Sequence, residues 1–113
     1  KDKKKEPLKW KILESILVLN RMYHYEFRES VEKILKKLAK KNLKQLIIIE
    51  KKIEEIIENP HHYKNLRSPL HDWKRVHIDG SFVLVFSVNE ATKTIIFEDY
   101  DHHDNIYSKW SLL

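Results

Sequence analysis

One dipeptide restricts the fold of this chain more than any other: Asp79-Gly80, which contains the only glycine in the sequence. Glycine takes positive φ without steric cost, and Asp-Gly between strand-like runs is a strong short-range hairpin signal. Both flanking runs are present. Trp73 to Ile78 alternates, and Ser81 to Val88 is almost continuously apolar. Asn89 to Thr92 supplies a second turn and Thr94 to Tyr100 a third strand, so this half of the chain predicts a three-stranded antiparallel meander. Its central strand is apolar on both faces and needs cover on both sides.

Upstream, Tyr23-His24-Tyr25-Glu26-Phe27 alternates and is rich in aromatics, which suits a first strand. Ser30 is positioned to cap a helix in which Val31, Ile34, Leu35 and Leu38 share one face and lysines the other, with a break at Lys41-Asn42. A second helix is expected from Leu43 to Glu58, burying Leu46, Ile49, Ile53, Ile56 and Ile57 and ending at Asn59-Pro60. Residues 61 to 72 are polar, contain Pro69 and read as a loop. The fold class is therefore α+β, with an N-terminal strand and a helical hairpin packed on a small twisted antiparallel sheet. The hairpin can cover only one sheet face. The other is expected to be covered in part by an N-terminal helix or a partner.

That N-terminal helix belongs to residues 1–21, which the pattern sets apart as an extension from a folded domain at 22–113. The extension opens with the basic tail Lys1-Asp2-Lys3-Lys4-Lys5, and Leu8, Ile12, Leu13, Ile16, Leu17 and Leu19 after Pro7 suit a short amphipathic helix. A chain of 113 residues supports one modest core. Its net charge of +5 favours polyanionic partners, nucleic acid or an anionic surface, unless the lysines are only solvated helix faces. There is no cysteine, hence no disulfide framework and no thiolate chemistry, and a reducing cytoplasm fits. Apolar runs are too short to span a bilayer, so a soluble cytoplasmic protein without a membrane partner is expected.

The chemistry-bearing residues fall in two segments. Asp99 to Tyr107 reads DYDHHDNIY, directly after the last strand, and His71 to His77 reads HDWKRVH. Imidazole exchanges protons near neutrality, and neighbouring cations can hold an anion, so the combination suits proton transfer at a phosphate. If Val76 and Ile78 face the core, strand alternation puts Trp73, Arg75 and His77 together on the other face. The last strand is expected to exit beside residues 71–75, with His103 and Tyr107 on one side of a helical turn. Lys64, Arg67, Lys74, Arg75, His71 and His102 are candidate RNA or phosphate contacts. Against this, an outward histidine is often merely solvated, and Trp73 reads better as a seal at the core edge. A zinc site at His61-His62 or His102-His103 is not expected: adjacent strand residues point apart, and no familiar ligand spacing occurs. No cofactor is expected either.

The order of elements, together with LHDWKRVHIDGSFVLVFSV at residues 70–88 and HDNIY at 103–107, resembles the RelE/ParE toxin superfamily, most closely its YafQ-like branch. The resemblance spans about Met22 to Tyr107. It implies the toxin of a type II toxin-antitoxin system: a ribosome-dependent, metal-independent endoribonuclease, or mRNA interferase, that inhibits translation. It also implies a cognate antitoxin, in a toxin-antitoxin hetero-oligomer, besides ribosome and mRNA as partners. Position by position, His77 and His103 match catalytic histidines, one as base and the other as acid, and Tyr107 matches an aromatic packed against the displaced base. Arg75 joins this set on charge and place. The pattern departs at three positions. Asp99 stands where that branch carries a basic residue and would repel RNA, while Ser81 and Phe82 replace an acid and a tryptophan. The alternative is accordingly a non-nucleolytic toxin of the same fold, or an inactive binding module.

Overall fold

The computed structural model describes residues 23–68, 70 and 72–110. The expected extension at 1–21, its helix, and His71 lie outside the described residues. Strand β1 is His24–Phe27, followed by helices α1, Glu29–Lys41, and α2, Leu43–Glu58. A short 3-10 turn at Pro60–His62 leads into the loop before β2, Lys74–Ile78. Strands β3, Phe82–Asn89, and β4, Thr94–His102, complete the sheet, and α3, His103–Trp110, follows. No helix among the described residues is long and apolar enough to cross a membrane.

The helical hairpin forms where the apolar spacing predicts it. Glu29 and Glu32 lie in the first turn of α1 and Lys40 and Lys41 in its last, each sign matching the helix dipole. Ser30 is not the cap. Arg28 holds that position, and Ser30 sits within the first turn. Asn42 serves both helices: its backbone N–H donates to the Leu38 carbonyl at 2.8 Å, while its side chain accepts from the Gln45 N–H at 3.2 Å.

The strand order is β1-β4-β3-β2. The β2-β3-β4 meander is antiparallel as expected, and β1 adds to its edge in parallel with β4, Phe27 opposite Phe97, so the full sheet is mixed. A parallel neighbour is open to β1 because the helical hairpin provides the long crossover such pairing requires. The β2-β3 turn takes in Ser81 as well, since Ile78 pairs with Phe82. Asp79 and Gly80 both have positive φ, 47° and 87°.

Two cores form, one on each face. Val31, Ile49, Ile53 and Ile56 from the hairpin pack against Val76, Ile78, Leu84, Phe86, Ile95 and Phe97 of the sheet. On the opposite face, Val83 and Val85 are covered by Leu66 and Leu70 of the loop and Ile106 of α3. Trp73, Tyr107 and Trp110 pack at the border. Among the described residues, cover for the second face comes from the loop and α3, while the N-terminal helix expected there lies outside the described residues.

The exit of β4 also differs from expectation. His102 is opposite Phe82, and the His103 N–H donates to the Ser81 carbonyl at 2.8 Å, so the chain leaves β4 beside the β2-β3 turn. The reason is directional: β2 and β4 are both antiparallel to β3, so they run the same way and end at the same edge. Helix α3 then doubles back beneath the sheet until Trp110 reaches Trp73, ring centroids 5.1 Å apart.

Candidate active site

Strand alternation decides which side chains share a surface. Val76 and Ile78 turn toward the helical hairpin, so Arg75 and His77 emerge on the face that α3 crosses. His103 opens α3 at that edge. The rings of His77 and His103 stack with centroids 6.0 Å apart and planes 23° from parallel. One helical turn on, Tyr107 places its ring 6.1 Å from that of His103. The loop contributes Arg67, whose guanidinium lies 4.0 Å above the Tyr107 ring, a cation–π contact, while its backbone N–H donates to the Tyr107 hydroxyl at 3.0 Å.

Arg75 Nη1 lies 2.8 Å from His77 Nε2. Guanidinium can only donate, so Nε2 accepts and the neutral ring carries its proton on Nδ1. Burial lowers the His77 pKa below its ordinary value, and the neighbouring Arg75 and His103 lower it further. His77 is therefore a neutral imidazole at pH 7. The His103 Nδ1 lies 3.5 Å from Asp104 Oδ1, at the first turn of α3.

Four residues expected at the site join it: Arg75, His77, His103 and Tyr107, with Arg67 beside them. Others do not. His102 points to the opposite face, its ring 5.8 Å from Phe82, which itself stacks on Tyr100 at 5.4 Å. Lys74 leaves β2 on the hairpin side and donates to the Tyr63 carbonyl at 3.2 Å and to Asn65 Oδ1 at 2.8 Å. Lys64 is exposed, and its carbonyl accepts the Arg75 N–H at 3.2 Å. Trp73 seals the second core, as its sequence context suggests.

Asp99 overturns its expected role. It is 4% exposed and accepts hydrogen bonds from Lys109 Nζ at 2.9 Å, Trp110 Nε1 at 2.8 Å and the Tyr100 N–H at 2.8 Å. Its charge is turned into the molecule and neutralised there, with little left to repel an RNA strand. Asp101, two residues on along the same strand face, shares the lysine at 2.8 Å and accepts from Asn105 at 3.1 Å. Burial would raise the Asp101 pKa, but hydrogen bonds from Lys109 and Asn105 outweigh it and the net shift is downward. Lys109 likewise keeps its proton more tightly: burial works against the charge, and the two carboxylates more than compensate. Sequence reading missed Lys109, because a strand-to-helix contact across a turn has no periodicity to reveal it.

Residues 25–107 match the ParE toxin family of type II toxin-antitoxin systems, parDE. The chain belongs to that family. A relative from Methanocaldococcus jannaschii, named as a candidate toxin, RelE4, is 64% identical to this ParE-family toxin over 91 residues, 80% of this chain and 97% of that protein. Among solved structures, the intact Escherichia coli RelBE toxin-antitoxin complex is similar at 21% identity and TM-score 0.59, covering 71% of this chain and 95% of the other. YafQ from E. coli strain BL21(DE3) is similar at 19% identity and TM-score 0.59, covering 75% of this chain and 98% of the other. At such identities the two structures establish the fold alone, and this toxin shares it.

Proposed function

We propose that this toxin is a ribosome-dependent endoribonuclease that cleaves messenger RNA in the cytoplasm and is neutralised by a cognate antitoxin bound to it. The observation that carries the reading is the His77–His103 pair, two imidazoles 6.0 Å apart on one accessible face with Arg75 and Arg67 beside them. The ribose 2′-OH supplies the nucleophile, so the reaction requires neither a metal ion nor a covalent enzyme intermediate. His77, held neutral, takes the 2′-OH proton as that oxygen attacks phosphorus. Protonated His103 gives its proton to the departing 5′-oxygen, leaving a 2′,3′-cyclic phosphate and a free 5′-OH.

Arg75 links binding to chemistry. In the free protein it occupies the His77 Nε2 lone pair, the one a base needs. An arriving phosphodiester competes for the guanidinium with a charge-assisted contact and releases the imidazole. Arg67 and Tyr107, stacked together, offer an aromatic platform with a cation for the displaced base. The likeness to YafQ and to the toxin of the RelBE complex supports the same reading.

Mapping of 5′ ends on cellular transcripts after expression tests it. Wild type is expected to generate new ends within coding regions and His103→Ala to generate none. No new ends with wild type would reject cleavage. A second reading, a toxin acting without RNA cleavage, draws on Asp99 and Asp101, which leave Lys109 no free charge for phosphate. Growth arrest without new transcript ends, undiminished in His103→Ala, would establish it.

A further inference from the structure

The carboxylates at 99 and 101 need an explanation, since burying charge on the strand under a candidate active site is costly unless something is gained. Asp99 is enclosed, and its hydrogen-bond partners come from one end of α3 and from its own strand: Lys109, Trp110 and the Tyr100 N–H. Asp101 holds the same helix at a second level, through Lys109 and Asn105. Helix α3 is short, eight residues, and its only fully buried side chain is Ile106. Tyr107 and Trp110 add apolar contact only at the border of that core, so Ile106 alone leaves the rotation of the helix about its own axis incompletely fixed. Four polar contacts to the two carboxylates, one from Asn105, two from Lys109 and one from Trp110, add the missing constraint.

The candidate chemistry lies on the same helix. His103 and Tyr107 occupy α3, while His77 and Arg75 occupy β2, so their separation depends on how α3 is seated. We propose that Asp99, Asp101, Lys109 and Trp110 form a positioning clamp that sets the height and rotation of α3 and thereby the registry of His103 against His77. The proposal rests on the nuclease reading for its catalytic consequence but not for its geometry. None of the four touches the reacting groups in this arrangement. Reorganisation of about 1 Å in an active site can reduce turnover by about a hundredfold, so a clamp remote from the reaction can still govern its rate.

The test uses the full chain and Lys109→Met, which removes the shared cation, with Lys109→Arg as the conservative control. The first readout is NMR titration of the His77 ring, whose pKa is held down by burial and by the nearness of Arg75 and His103. Lys109→Met is expected to shift that titration upward as α3 moves away, and Lys109→Arg to leave it near wild type. The second readout is single-turnover cleavage on programmed ribosomes. The rate constant should fall about tenfold or more in Lys109→Met with KM within about threefold, and recover in Lys109→Arg. Should Lys109→Met fail to fold, Trp110→Phe, which keeps the ring and removes its N–H donor, is expected to produce a smaller change of the same sign in both.

A folded Lys109→Met, or failing that Trp110→Phe, with an unaltered His77 titration would overturn the clamp. A moved titration combined with no cleavage by wild type would keep the clamp and discard the nuclease reading. Unaltered titration with normal wild-type cleavage would do the reverse.

Discussion

His77 is the residue whose surroundings say most about its chemistry. Its folded pKa lies below the ordinary 6.5, so above 6.5 the ring is neutral in folded and unfolded chain alike. As pH falls from 6.5 toward the folded value, the unfolded state takes up the proton first, and the fold loses stability across that window. His77→Gln is expected to lack this acid-side loss, which denaturant unfolding between pH 7 and 5 would detect. Arg75 contributes to the depression by its charge. Arg75→Gln should therefore raise the His77 titration toward 6.5 and carry the acid limb of the cleavage profile upward with it. A titration that stayed put would mean that the Arg75 charge does not depress the ring. Alternation along β2 made the His77–Arg75 pairing readable from the chain. The identity of Asp99's partners was not readable, because charge alone cannot distinguish a carboxylate facing solvent from one enclosed by a returning helix.

At the level of elements, the hairpin junction is economical: one residue ends α1 and begins α2. Asn42→Ala is expected to destabilise the protein by about 1 kcal/mol, the usual cost of losing an N-cap side chain, measurable by urea unfolding. The two helices, the meander and its turn at Asp79-Gly80 are local matters of period and turn chemistry, and they follow from the residues. Three features are not local. The parallel pairing of β1 with β4 depends on what the crossover permits. The exit of β4 depends on strand direction across the whole meander. Cover of the second sheet face depends on α3, whose single buried Ile106 gives too weak a periodic pattern to identify it as a core element. Phe86, fully buried in the hairpin-side core, offers a check on that packing: Phe86→Ala should cost about 3–5 kcal/mol.

For the molecule as a whole, a cluster at the far end of the sheet ties distant segments together. Glu90, in the β3-β4 turn, accepts from Lys93 Nζ at 2.7 Å and the Tyr23 hydroxyl at 2.6 Å, and contacts His61 of the 3-10 turn. These bonds, that of Lys93 foremost, bring the Glu90 pKa down from 4.5 to about 2. The stabilisation is complete above 4.5 and disappears as pH falls from there toward 2. Glu90→Gln is expected to unfold at lower denaturant than wild type at pH 7, with the gap closing over that acid range. A constant gap would show that charge is not what the cluster uses.

The edge pairing of β1 has a consequence for synthesis. Arg28, just after β1, and Glu98 of β4 are joined by an ion pair yet lie 70 positions apart. Loop closure on that span comes late, and β4 must emerge from the ribosome before β1 can find its mate. A nascent copy therefore carries β1 as an unpaired edge, held in waiting for a neighbour that is made last of the four strands.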